Sequence, residues 1–226
     1  MGRHGGNDAR GGTGRTGSVM AAVKHRAGAG VVIGALVVEG RSERARMGAP
    51  RLPKMLDADP DATGLAREFA ARAEPLWAGG APCVPRAAIT PALGAALKSA
   101  YAGGRLVRGL DGATRVLCAE DQGLKHVDRT TGVERGGRVS RLLVLADDGS
   151  ERFYREVERL LRRNAPRVLA LRLSADEHAL GRLMFGPDQV ARLLLVEHKD
   201  AVSAVLLALA AQWRADDLPP SAMPKA

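Results

Sequence analysis

The residues of this chain best suited to chemistry are acids at the ends of apolar runs. Leu142-Leu143-Val144-Leu145-Ala146 leads directly into Asp147-Asp148-Gly149, and Leu194-Leu195-Val196 leads into Glu197-His198-Lys199-Asp200. Carboxylates at the end of a buried strand can hold Mg²⁺ and let it orient a phosphate. The plainer reading makes Asp148, before Gly149, a turn residue and Glu197 a cap on the next helix. His126, His178 and His198 are scattered beside charged neighbours, and no G-x-S-x-G or similar nucleophile frame accompanies them. Cys83 and Cys118 stand apart without a C-x-x-C or a histidine cluster. That excludes a disulfide framework and a zinc site readable from sequence, and makes Cys118, in its apolar run, a core thiol. No metal or other cofactor is expected.

A second group is basic. Between residues 105 and 141 lie Arg105, Arg108, Arg115, Lys125, Arg129, Arg135, Arg138 and Arg141, against five acids. Within it, Arg105 to Arg108 and Thr114 to Cys118 can pair as a β-hairpin across the Leu110-Asp111-Gly112 turn.

The elements that must position these residues are clearest from Arg141 onward. A buried strand, Leu142 to Ala146, is followed by a helix that Ser150 caps and whose Phe153, Val157, Leu160 and Leu161 share one face. Val168 to Leu173 reads as a second strand. Ser174-Ala175-Asp176-Glu177 reads as a capping box for a helix that Gly186-Pro187 stops. A third apolar run, Val190 to Val196, precedes a helix carrying Val202, Val205, Leu206, Leu209 and Trp213. Strands alternating with helices imply parallel pairing, hence an α/β fold: a three-layer α/β/α sandwich with a mainly parallel sheet. Upstream, Leu65, Phe69, Ala73 and Leu76 after Thr63 read as a short helix whose regular part Pro75 ends, Gly79 to Pro82 as a linker, and Thr90 to Gly104 as a helix with a threonine cap and a proline at its first position.

The chain has 226 residues, 34 Lys and Arg against 25 Asp and Glu, and a formal charge of +9. Residues 1 to 55 carry ten of those cations and three of the acids, so the remainder is nearly neutral. Residues 1 to 60, rich in glycine and arginine, read as a disordered basic arm. Residues 61 to 104 follow as a helical segment, 105 to 214 as the α/β domain and 215 to 226 as a flexible tail. The apolar stretch Ala27 to Val38 is too short to span a bilayer. Its Gly28, Gly30 and Gly34 lack the strand and helix that a dinucleotide-binding turn needs. A cytoplasmic protein without a membrane partner is expected.

The order of these elements, with Leu145-Ala146-Asp147-Asp148 at a strand end and Leu180-Gly181 followed by Gly186, resembles the ribosomal-protein family that binds RNA kink-turns. That is the superfamily of ribosomal protein L-seven-Ae, which includes a domain of archaeal and eukaryotic release factors. The resemblance covers residues 92 to 212 at most. The family reads RNA with G-x-N-E-x-T-K at the start of a helix, and the matching segment here is Gly109 to Arg115, with Asp111 and Gly112 at the Asn and Glu positions. The resemblance therefore implies non-catalytic binding of RNA or a ribosome-associated particle, through Arg108, Gly109, Asp111, Thr114 and Arg115. The run ending in Glu197 also looks like the glutamate motif of Toprim nucleotidyl-transfer domains. This implies the competing class, a Mg²⁺-dependent phosphoryl-transfer or hydrolytic enzyme using Asp147, Asp148 and Glu197.

Overall fold

The structure, a computed structural model, describes residues 50–131 and 137–217, with the side chains of 128–131 set aside. Two 3-10 turns, Lys54–Leu56 and Pro60–Ala62, precede α1 (Leu65–Ala71), β1 (Ala73–Pro75), β2 (Cys83–Ala87), α2 (Pro91–Ala102) and β3 (Leu106–Arg108). Then come α3 (Leu110–Thr131), β4 (Arg141–Leu145), α4 (Glu151–Asn164), β5 (Val168–Leu173), α5 (Glu177–Phe185), β6 (Leu193–Val196) and α6 (Lys199–Asp216). The strands form one sheet in the order β1-β2-β5-β4-β6-β3.

Strands β4, β5 and β6 are apolar on both faces because both faces are covered. Leu142, Val144, Leu171, Leu173, Leu194 and Val196 point into a core completed by Leu65 and Phe69 of α1, Leu93 and Leu97 of α2, Leu180 of α5 and Val205 of α6. The alternate residues Leu143, Leu145, Val168, Ala170, Leu193 and Leu195 meet Ala113 and Leu117 of α3 and Val157 and Leu160 of α4. This two-residue alternation produces the three α/β/α layers. Each leucine so enclosed is worth about 1.5 to 3 kcal/mol.

The sheet is mixed. β2, β5 and β4 run parallel, whereas β6 is antiparallel to β4, with Leu142 opposite Val196 and Leu145 opposite Leu193. The parallel pairing expected of the three C-terminal strands thus holds for β4 and β5 and fails for β6. Alternation of strand and helix does not reveal whether the chain crosses over or turns back.

Several local expectations are corrected. Residues 105 to 118 do not form a hairpin: β3 pairs with β6, and helix α3 starts at Leu110. Residues 61 to 104 are not a helical segment alone, because β1 and β2 join the sheet and Gly79 to Pro82 turn the chain between these antiparallel strands. The helix expected to run to Pro75 stops at Ala71. The arm ends sooner than residue 60, since Leu52 and Leu56 are buried and Val139 donates its N–H to Arg51 O. Residues 1–49 and 218–226, which hold the rest of the arm and most of the tail, lie outside the described residues. Asp176, not Ser174, caps α5, accepting from Ala179 N at 2.6 Å. His198 rather than Glu197 caps α6. Thr90 and Ser150 cap α2 and α4 as the sequence implies.

Candidate functional site

The chain reaches α3 through a tight passage. Gly109 has φ +83°, a conformation that favours glycine. It donates its N–H to Leu193 O at 2.8 Å, and its carbonyl accepts the Ala113 N–H at 3.0 Å. The helix start is thereby fastened to the first residue of β6. A Cβ on Gly112 would stand 2.8 Å from Val107 Cγ1, so the first turn lies directly against β3. Glycine at position 112 therefore has a packing cause. Ala113 and Leu117 are buried, which leaves Asp111, Thr114 and Arg115 exposed on the other side of the helix. An acid in the first turn also suits the helix dipole.

Arg108, the last residue of β3, is exposed. Its guanidinium carbon lies 4.9 Å from the centroid of the Phe185 ring, and Nη1 donates to Gln189 Oε1 at 3.0 Å. The five residues expected to act together are thus contiguous, and the loop after α5 joins them. That loop is set by Gly186 at φ +99° and Asp188 at φ +60°. Gln189 and Phe185 carry no sequence signal of their own. Only the Leu180-Gly181 pair and the helix-stopping Gly186 hinted that this loop must be held close.

Three of the eight basic residues are spent on acids within the fold. Arg141 donates through Nε and Nη2 to Glu120 Oε1 at 2.9 and 2.6 Å, and Arg167 Nη2 meets Glu120 Oε2 at 2.8 Å. Lys125 pairs with Asp121 at 2.7 Å, and Arg138 with Asp57 at 2.8 Å. Hydrogen bonding to these cations holds both aspartates below the usual carboxylate range. Arg105, Arg108 and Arg115 have no carboxylate partner among the described residues, and all three flank the start of α3. Arg129 and Arg135 fall where side chains are not described.

The acids do not converge. Asp147 forms ion pairs with Arg86 and with Arg172, whose Nε lies 3.3 Å from Asp147 Oδ1 without making a hydrogen bond. Asp148 Oδ2 accepts the Glu177 N–H at 3.2 Å, at the start of α5. The antiparallel register puts Glu197 beyond Val196, level with the beginning of β4, while Asp147 lies beyond its end. Among the described residues, no group of three His, Cys, Asp or Glu is placed to hold a metal ion. Cys83 and Cys118 are free thiols, each partly buried. Among the described residues no helix is long and apolar enough to cross a membrane. No protein-family model matches the chain, and no curated protein matches it.

Proposed function

We propose that this chain is a non-catalytic RNA-binding or ribonucleoprotein-associated domain, of the kink-turn kind it resembles, which reads unpaired or mispaired bases with the first turn of α3. The observation that carries the reading is the distribution of pairing among its cations. Among the described residues, Arg105, Arg108 and Arg115 have no carboxylate partner beside an exposed helix start, while Lys125, Arg138 and Arg141 are spent on Asp121, Asp57 and Glu120. Backbone donors of the helix start suit phosphate or base edges, Thr114 adds a small polar contact, and the three arginines attract the strand. A cytoplasmic location and an RNA or ribosome-associated partner belong to this reading. The Mg²⁺ alternative would need Asp147 released from two arginines and Glu197 brought from the other end of the sheet.

Gel shift of the full chain against total RNA through a salt series tests the proposal. Affinity should fall steeply with salt, because bound cations displace counterions. Thr114→Ala and Arg115→Ala should each reduce the preference for structured RNA over a random strand, and the lost charge-assisted contact of Arg115 should cost about 1.5 to 3 kcal/mol. Absence of binding, or variants that keep the wild-type preference, would refute it.

A further inference from the structure

Aromatic side chains are scarce here, three Phe, two Tyr and two Trp in 226 residues, so the placement of each carries weight. Phe69 packs edge-on against Trp213 in the core, and Phe153 against Tyr154. Trp77 donates its indole N–H to Glu158 Oε2 at 2.6 Å. Tyr101 differs, being 48% exposed at the end of α2. Its ring meets Phe185 edge-on, with centroids 5.0 Å apart and planes at 85°. The Arg108 guanidinium is set against the same Phe185 ring and tethered to Gln189. Phe185 itself is partly buried against the core, so it serves as a fixed base for two groups that are open to solvent.

We propose that Tyr101 and Arg108, braced on Phe185, form a stacking platform for an unpaired RNA base next to the segment read by the start of α3. This rests on the RNA-binding reading above and names the nucleotide class it requires. An aromatic ring and a guanidinium plane both accept the face of a base, whatever its sequence, and Arg105 and Arg115 nearby suit the adjoining phosphates. Contact with Phe185 accounts for the buried half of the ring, and the exposed half is left open to a base. A duplex, whose bases are stacked on one another, offers no face to such a platform, so the ligand class is a strand with at least one unstacked base.

The test uses the full chain, a single-stranded RNA carrying 2-aminopurine, and a fully paired duplex of equal length. Tyr101→Phe keeps the ring, Tyr101→Leu keeps apolar packing without it, and Tyr101→Ala keeps neither. Leu and Ala should weaken single-strand binding by about 5- to 100-fold and abolish the fluorescence quench, whereas Phe should preserve both. Duplex binding and the salt dependence should be unchanged in all three, since no charge is altered. Melting temperatures confirm that each variant is folded. If Tyr101→Leu binds the single strand as wild type does, the platform is overturned and the RNA-binding reading stands. If the wild-type chain binds neither RNA, both fall.

Discussion

Gly181 and Gln189 stand in a contact that admits no side chain: a Cβ on Gly181 would lie 2.5 Å from Val190 Cα and would run into the Gln189 carbonyl. The loop after α5 is pressed onto the helix it has just left. Ala191 N–H, donating to Glu177 O at 2.8 Å, closes the loop at its far end. Gln189 can therefore hold Arg108 in place.

Gly181→Ala should displace this loop and destabilise the chain by about 1 to 3 kcal/mol, as overpacking against backbone does. Because Gln189 moves with the loop, the preference for structured RNA should fall along with melting temperature. Gly123→Ala is the control, since a Cβ there meets nothing within 4 Å. It should leave binding unchanged and raise the melting temperature slightly, since alanine is favoured over glycine in a helix interior by about 0.5 to 1 kcal/mol.

Asp147→Asn should lower stability whether or not Mg²⁺ is present. Arg172 is only 14% exposed and would lose a carboxylate partner, at a cost of about 1 to 3 kcal/mol. Thermal melts of wild type and the Asp147→Asn, Asp148→Asn double variant with and without Mg²⁺ check this. A Mg²⁺-dependent rise in the wild type that the variant abolishes would favour the phosphoryl-transfer class, by linkage.

Tyr154 gives a pH dependence of definite sign. Its hydroxyl donates to Ala146 O at 2.9 Å and accepts from Gly149 N at 3.2 Å, and burial raises its pKa above the ordinary tyrosine value of 10.0. The folded chain thus holds this proton more tightly than the unfolded one. The stability it contributes is complete below pH 10.0 and is lost as pH rises through the folded value. Chemical denaturation from pH 8 upward, compared with Tyr154→Phe, should show this fall in the wild type alone. The variant should be weaker by about 1 to 2 kcal/mol at neutral pH.

Residues 1 to 49 hold eight Lys and Arg against three Asp and Glu, more than half of the net charge of +9. A chain beginning at Pro50 should therefore keep its melting temperature and lose much of the salt dependence of RNA binding. Beginning instead at Asp57 should lower the melting temperature as well, because Leu52 and Leu56 are core residues. An unchanged salt slope in the shorter chain would show that the arm takes no part.

The α/β layers were legible because β4, β5 and β6 are short, mostly apolar runs and the helices carry their own caps, as Thr90 and Ser150 show. The direction of β6 was not. Antiparallel and parallel strands buried on both faces have the same apolar composition, and register with β4 depends on contacts distant in sequence. The two readings of Gly109 to Cys118 were equally local. Asp111-Gly112 suits a hairpin turn, and the choice fell to the helix because Ala113 and Leu117, four apart, are both buried beneath it. Glu120 was invisible as the partner of Arg141 and Arg167, and so was Gln189 as that of Arg108. Polar pairs across elements leave no period in a sequence.

The position of β6 between β4 and β3 has a consequence for how the chain is made. A ribosome releases Gly109 to Arg115 well before it releases Leu193, whose carbonyl fastens Gly109. The nascent chain then carries its free arginines without the strand that orders them. It can adhere to any polyanion by charge, yet has no fixed surface with which to choose. On the RNA-binding reading proposed above, discrimination would come only once β6 takes its place between β4 and β3, so the same residues would serve first as an indiscriminate tether and only later as a reader.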